Sequence, residues 1–374
     1  MTAQTDERRL QRDRQAFTLV ELLVVITIIT ILASIALFTL YGVREDARET
    51  RTRTVIARVN EVIMEKWESY RMRAVPIRIP AGTPPRVAAA HRLNAIRELM
   101  RMELPDRISD LRTVVNTPNG AVASDTLVGP VVLNTAPAAW RGYQRRIAAN
   151  ASRGKVWTVQ HEQSECLYMI LAGIREGDST GLDAFEESEI GDTDGDGMPE
   201  VLDPWGRPIY FLRWAPGYVS ALQNPQRREP DPFDPLRVDP RWENNDDSNP
   251  NTKRDDPFAL YPLIYSAGRD GQFGVVLKDY DNADPPNYID ITYALSDTSL
   301  YANAELNATL YPSYTPYPTA PWSSGSPIWT SRPKNDPYLI LPTSGDYIGR
   351  ILGTSDFAST GLSDDITNHL LEVR

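Results

Sequence analysis

The sequence predicts an α+β protein in which one long N-terminal helix precedes a domain of shorter helices and a small antiparallel sheet. Three observations support this class. An apolar run fills 17–40, an amphipathic helical pattern follows it directly, and strand-like runs alternate with Pro-rich segments in the C-terminal half.

The apolar run is long enough to cross a membrane. Its 24 residues, 17–40, are apolar apart from hydroxyl side chains and one acid, Glu21. Because a helix rises about 1.5 Å per residue, the run spans a hydrocarbon core of roughly 30 Å. A carboxylate costs about 2.5–3.5 kcal/mol at the centre of such a helix and less near its end. We therefore expect a partner for Glu21.

The helix is expected to continue beyond the membrane, over 41–75. Apolar residues recur there three or four positions apart, with charged residues between them. The apolar positions are Val55, Val59, Val62, Ile63, Trp67 and Tyr70. Pro76 should end the helix near Ala74, because a residue before Pro avoids helical geometry. The amphipathic half would then pack on a globular domain formed by 76–374.

Further elements are expected within that domain. Helical patterns occupy 86–103, 137–150 and 158–176, and Gly177 is the predicted stop of the last one. Strand-like runs occupy 207–214, 259–266 and 288–295. Two segments rich in Pro and polar residues, 223–257 and 311–337, are predicted to be surface loops, and we expect insertions at about 223–257 and 275–360.

Composition argues against several functions. The 374-residue chain has a net charge of −11, which disfavours nucleic acid as a partner. Its single cysteine, Cys166, cannot form an internal disulfide and is expected to be a small buried residue. The three histidines are isolated in sequence, so a zinc site is not expected. No catalytic string is present, and we expect no enzyme activity and no catalytic residues.

The start of the apolar run carries a recognisable motif. The string FTLVEL at 17–22, after a charged leader at 1–16, resembles the type IV prepilin and pseudopilin family. Basic residues before a membrane span stay in the cytoplasm, and the leader carries four arginines. The resemblance implies a pilin-like fold with a single span, its N-terminus in the cytoplasm and its domain in the periplasm.

The resemblance also implies how the N-terminus is processed. A prepilin peptidase would cut between Ala16 and Phe17 and methylate Phe17, and Glu21 would pair with the new amino terminus of a neighbouring subunit. Ala16 stands where the family usually has Gly. Thr30 and Phe38 stand where the family often has Gly and Pro, so this helix is expected to run without a break.

An acidic segment at 192–203 has the spacing of an EF-hand loop. The predicted ligands are the side chains of Asp192, Asp194, Asp196 and Asp203 and the backbone carbonyl of Met198. Full oxygen coordination would favour calcium over magnesium. The alternative is a solvated Asp-Gly turn that binds no ion.

Two further segments resemble the major pseudopilin of type II secretion. DPWGRPIYF at 203–211 is similar to that protein's DPWGxP-aromatic segment, and physically it is a turn leading into a strand. SAGRDGQFG at 266–274 is similar to its SxGxDGxxGG segment. The second likeness implies another calcium site formed by Asp270, Asp364 and Asp365. The competing local set is Asp279, Asp281 and Asp284.

Two functions follow from these observations. The first is a structural subunit of a type II secretion or type IV pilus-like fibre in the bacterial inner membrane, with structural calcium. Its partners would be copies of itself or other pseudopilins, the prepilin peptidase, the inner-membrane assembly platform and membrane lipid. The alternative is a membrane-anchored, calcium-dependent binding module for an extracellular ligand or polysaccharide.

Overall fold

The structure is a computed structural model, and part of the chain is described. The described residues are 18–77, 79, 81–111, 113–115, 122–124, 137–155, 157–158, 160–177, 179–224, 229–239, 242, 257–275, 279–280, 288–289, 337–338, 348–351 and 365–373. The chain divides into two compact units, Met1–Arg48 and Glu49–Arg374.

The first element is a helix of 51 residues, α1 (Leu19–Ser69). Every side chain from 18 to 41 is exposed, although most are apolar. Among the described residues, α1 is the one helix long and apolar enough to cross a membrane. No residue between 17 and 69 breaks it, as the absence of Gly and Pro at Thr30 and Phe38 predicted.

Within the described residues, three shorter α-helices and eleven short strands follow. The helices are α2 (Pro85–Glu103), α3 (Ala138–Ser152) and α4 (Glu162–Gly173). The strands are β1 (Thr113–Val115), β2 (Val122–Ser124), β3 (Arg175–Glu176), β4 (Ser179–Thr180), β5 (Ile190–Gly191), β6 (Glu200–Val201), β7 (Tyr210–Leu212), β8 (Leu263–Ser266), β9 (Asp279–Tyr280), β10 (Tyr288–Ile289) and β11 (Ile366–Thr367). A long N-terminal helix followed by helices and small antiparallel sheets confirms the predicted α+β, pilin-like class.

The central sheet has three antiparallel strands in the order β11-β8-β7. Tyr210 pairs with Tyr265 and Leu212 with Leu263, while Ile366 pairs with Ser266 on the other side of β8. The remaining strands form four antiparallel pairs: β1-β2, β3-β4, β5-β6 and β9-β10. Helix α4 lies against β6 and β7 and thereby brings the β5-β6 pair next to the central sheet.

The C-terminal half of α1 supplies one face of the core. Val55, Ile56, Val59, Ile63 and Trp67 are at most 1% exposed. Burying one such apolar side chain stabilises the fold by about 1.5–3 kcal/mol. Most of these positions are those of the amphipathic pattern, so the predicted apolar face is confirmed.

The C-terminus closes onto the same helix. The Asn368 side chain donates to Asn60 Oδ1 at 2.8 Å and to the Pro262 carbonyl at 3.0 Å. Its Oδ1 accepts from the Ile264 backbone N–H at 2.9 Å. One amide therefore joins α1, β8 and the 3₁₀ helix Asn368–Val373.

The core also contains a group of buried charges next to α2. Arg213 Nη1 donates to Asp110 Oδ2 at 2.9 Å and to the Leu104 carbonyl at 2.7 Å. Arg101 bonds to Asp110 and to Glu98, and all these side chains are about 2% exposed or less. Burial raises the pKa of Asp110, but the guanidinium groups of Arg213 and Arg101 outweigh it and lower that pKa to about 2.

Several elements differ from their predicted bounds. Helix α1 ends at Ser69 rather than near Ala74, because its last turn tightens to i→i−3 hydrogen bonds such as Tyr70 N to Trp67 O. Helix α4 begins at Glu162 rather than 158, since His161 has a left-handed φ of 61°. Gly177 does not end a helix; it forms the turn between β3 and β4 with φ 64°.

Part of the predicted surface loop 223–257 belongs to the core. Phe233 is 9% exposed and packs edge-on against Trp67 at 5.3 Å between ring centroids. Arg97 of α2 pairs with Asp231 at 3.0 Å and with Asp239 at 2.7 Å, all buried. Two aspartates of a segment predicted to be a solvated loop therefore form buried ion pairs with α2. The second predicted loop, 311–337, lies almost wholly outside the described residues.

Breaking the buried charge group should destabilise the protein strongly. Arg213→Met leaves Asp106 and Asp110 buried with one fewer guanidinium, so we expect the free energy of unfolding to fall by about 3–5 kcal/mol. Arg71→Met, which removes an exposed pair with Glu68 at 3.1 Å, is the matched control and should change it by at most about 0.5 kcal/mol. Urea unfolding of the full chain in detergent, followed by circular dichroism, measures both. If both variants lost the same free energy of unfolding, the buried charge group would not have the stabilising role assigned to it.

His369 should make stability depend on pH. Its Nε2 donates to the Pro262 carbonyl and its Nδ1 accepts from Ser220, both at 3.0 Å, and burial lowers its pKa to about 4. An unfolded histidine has a pKa near 6.5, so the unfolded state binds the extra proton between about pH 6.5 and 4. The contribution of His369 to the free energy of unfolding is therefore fully present above about pH 6.5. It falls by about 3 kcal/mol as the pH is lowered towards 4.

The variant His369→Gln isolates this contribution. It cannot bind the proton, so the stability difference between the unmodified chain and the variant should shrink as the pH falls from 7 to 4. Unfolding curves at several pH values measure that difference. A difference that stays constant over this range would show that His369 is not the titrating group.

Candidate functional site

The predicted assembly residue, Glu21, lies in the first turn of α1 and is exposed. Its Oε2 accepts hydrogen bonds from the Thr18 backbone N–H at 2.9 Å and from the Thr18 hydroxyl at 3.0 Å. The Glu21 backbone N–H donates in return to the Thr18 hydroxyl at 3.2 Å. This reciprocal pair is a capping box, which satisfies N–H groups that a helix start leaves open. Ala16 and Phe17 lie outside the described residues.

Both bonds from Thr18 meet the same carboxylate oxygen. Among the described residues, no hydrogen bond to the other oxygen, Oε1, is found. The sequence spacing Thr-x-x-Glu is the signal that could have identified Thr18 as a cap, and it was not used in the prediction.

The acidic loop connects β5 to β6, and the structure brings three of its predicted ligands together. Oxygens of Asp192, Asp194 and Asp196 lie within 4.8 Å of one another. These carboxylates also shape the loop. Asp192 accepts from the N–H groups of Gly195 at 2.9 Å and Gly197 at 3.1 Å, both glycines having positive φ.

Helix α3 and the segment between α3 and α4 contact this loop through polar groups. Asn150 of α3 donates to the Asp196 carbonyl at 3.0 Å, and Lys155 donates to the Gly195 carbonyl. Thr158 donates its N–H to Asp196 Oδ2 at 2.6 Å and its hydroxyl to Asp194 Oδ2 at 3.1 Å. These contacts hold Thr158 against the acidic loop and, together with the left-handed His161, explain why α4 starts later than predicted.

The remaining predicted ligands of this loop are placed differently. Met198 is buried, and its N–H donates to Asp196 Oδ1 at 2.9 Å. Asp203 belongs to neither group of clustered acids among the described residues. Its carboxylate accepts from the Trp205 and Arg207 N–H groups at 2.9 and 3.0 Å and from the Ser266 hydroxyl at 2.7 Å. Asp203 therefore holds the DPWG turn against β8.

The second predicted calcium set is described in part. Asp270 is exposed and accepts from the Gln272 N–H at 2.8 Å, whereas Asp365 is buried and accepts from the Gly274 N–H at 2.9 Å. Asp364 lies outside the described residues, as do Asp281 and Asp284 of the competing set. The side chain of Asp279 is likewise not described. This site stays a prediction.

Two acids that the prediction did not use stand next to the loop. Glu165 of α4 and Glu200 of β6 are both 0% exposed, and each has an oxygen within 4.8 Å of Asp194 and of the other. Burial, with the nearby Asp196 and Asp194, raises the pKa of Glu165 to about 11. Burial raises the pKa of Glu200 to about 7, although hydrogen bonds from the Thr193 N–H and hydroxyl lower it. The sequence signal that could have identified Glu165 is its position as an acid directly before the apolar stretch Cys166–Leu171.

The comparisons with known proteins concern the N-terminus. A search of curated proteins and a search of solved structures returned no match to the chain. A family model, the prokaryotic N-terminal methylation motif, matches residues 11–37. The match includes Ala16, Phe17 and Glu21 and covers residues 17–37 of the predicted membrane span 17–40. The chain therefore carries a prepilin-type N-terminal methylation motif at the start of a helix that can cross a membrane.

Proposed function

We propose that this protein is a structural subunit that is cleaved and methylated at Phe17, anchored in a membrane by α1, and assembled through α1 into a pilus-like fibre. The observation that carries the proposal is the methylation motif at 11–37 on a helix whose side chains from 18 to 41 are all exposed. The role is structural rather than enzymatic.

The exposed apolar half of α1 supports both stages of this function. Apolar side chains around the whole circumference suit lipid, where water is absent. In a fibre the same surface would pack against α1 of neighbouring copies and would again be removed from water. One face of the C-terminal half of α1 is already buried within the second unit, so the apolar N-terminal half is the part of the helix left for contacts between subunits.

Glu21 would direct the register of assembly. Within one chain its Oε2 accepts from Thr18, and no described residue donates to Oε1. The amino group created by cleavage before Phe17 is a cation that could meet this oxygen in an adjacent subunit. An ion pair in lipid offsets the cost of burying either charge alone.

The segments at 203–211 and 266–274 favour a type II secretion pseudopilin over a type IV pilus subunit. The span would then lie in the inner membrane, with the leader in the cytoplasm and the domain in the periplasm. The partners would be the prepilin peptidase, the inner-membrane assembly platform and other pseudopilins.

Processing can be tested directly on protein isolated from cells that express a prepilin peptidase. We expect the N-terminal fragment to lack residues 1–16 and to carry one added methyl group on Phe17, because the motif spans both positions. Mass spectrometry of the N-terminal peptide measures both changes. Protein from cells that lack the peptidase is the control. An intact leader in the presence of the peptidase would contradict the proposal.

Two substitutions at Glu21 separate the cap from the ion pair. Glu21→Gln can still accept the Thr18 bonds but carries no charge, whereas Glu21→Val loses both functions. We expect both variants to insert into the membrane normally and to form at least about tenfold fewer fibres, since a buried ammonium group without its partner is strongly unfavourable. Membrane fractionation and counts of sheared fibres give the two readouts. Fibre formation by Glu21→Gln at the unmodified level would exclude the ion-pair role.

A further inference from the structure

The N-terminal turn of α4 and the β5-β6 loop bring three carboxylates together from separate segments. Glu165 comes from α4, Asp194 from the loop and Glu200 from β6, and their oxygens lie within 4.8 Å of one another. Glu165 and Glu200 are fully buried, and Asp194 is half-buried. Like charges this close and this far from water repel one another strongly.

One of these oxygens has no hydrogen-bond donor in the described part of the chain. Trp157 Nε1 donates to Glu165 Oε2, but Glu165 Oε1 is buried without any partner. The group lacks a protein cation as well. Lys155 donates to the Gly195 carbonyl instead, and no Lys, Arg or His of the described residues forms an ion pair with these three carboxylates. A buried acceptor without a donor is rare in folded proteins and calls for an explanation.

We propose that one calcium ion binds between α4 and the β5-β6 loop, with the carboxylates of Glu165, Asp194 and Glu200 as its ligands. The ion supplies the positive charge that the group lacks and gives Glu165 Oε1 a partner. It also joins α4, which packs on the central sheet, to the loop that precedes the DPWG turn. The inference is independent of the fibre function, because all three ligands lie in the second unit.

The chemistry of the donors favours calcium. All three ligands are carboxylate oxygens, which prefer hard cations over zinc or copper. Calcium tolerates irregular coordination by ligands from distant parts of a chain, while magnesium demands near-octahedral geometry and retains most of its water. Asp192 does not belong to this group of three carboxylates and is exposed, so it is not assigned as a ligand of this ion.

The test uses the full chain in detergent after treatment with a chelator. Calcium chloride is then added, and both the calcium affinity and the melting temperature are measured. We expect calcium to raise the melting temperature of the unmodified chain, and magnesium chloride at the same concentration to raise it less. No response to calcium, or a larger response to magnesium, would overturn the proposal.

Matched variants identify the ligands. Glu165→Gln keeps the size of the side chain and should weaken calcium binding by at least about tenfold. Asp192→Asn is the control and should change the affinity by less than about threefold. The reverse result would assign the ion to the exposed loop acids and refute this site. Glu200→Gln provides a second ligand variant if Glu165→Gln does not fold, and it too should lose at least about tenfold.

The position of Trp157 offers a direct probe. Terbium commonly replaces calcium at oxygen sites, and an indole that bonds to a ligand lies close enough to sensitise its emission. We expect tryptophan excitation to produce terbium emission that calcium displaces, and Trp157→Phe to reduce the emission severalfold while terbium still binds. Undiminished emission from Trp157→Phe would place the bound ion elsewhere.

Discussion

The buried face of α1 is the constraint on which the second unit depends. Val55, Val59 and Ile63 recur at helical spacing, and their burial gives the other elements a surface to pack on. A helix half of this kind cannot remain exposed to water, while the preceding half cannot remain exposed without lipid or a partner. The same helix therefore needs two different environments. The C-terminal half finds its apolar environment within one chain.

Buried charge is the second distinctive property of this core. Arg101 of α2 and Arg213 lie together with their acidic partners, and Arg97 of α2 reaches Asp231 and Asp239 in a segment rich in polar residues. Such pairs add little net stability compared with apolar packing, yet each becomes costly when one member is missing. They consequently specify which segments must meet. In this unit they join α2 to segments more than a hundred residues later in the chain.

The sequence was sufficient for elements whose signal is local. The period of α1, the burial of Cys166 and the clustering of Asp192, Asp194 and Asp196 follow from spacing or residue type alone. The features that were missed depend on contacts between distant segments. The start of α4 depends on Thr158 bonding to the acidic loop, and the burial of 229–239 depends on Arg97. Glu165 could not be assigned to the loop because only the packing of α4 brings it there.

The closure of the C-terminus on α1 has a consequence for the order of folding. Edge strand β11 pairs with β8, and Asn368 bonds to Asn60, which lies 308 residues earlier. Contacts of such high sequence separation form late, because the loop between them must first be closed. During synthesis the sheet therefore lacks this edge strand until residues 366–368 have been made. A chain inserted in the membrane by α1 would therefore hold an incomplete sheet until those residues are made, and α1 would gain its hydrogen bond from Asn368 only then.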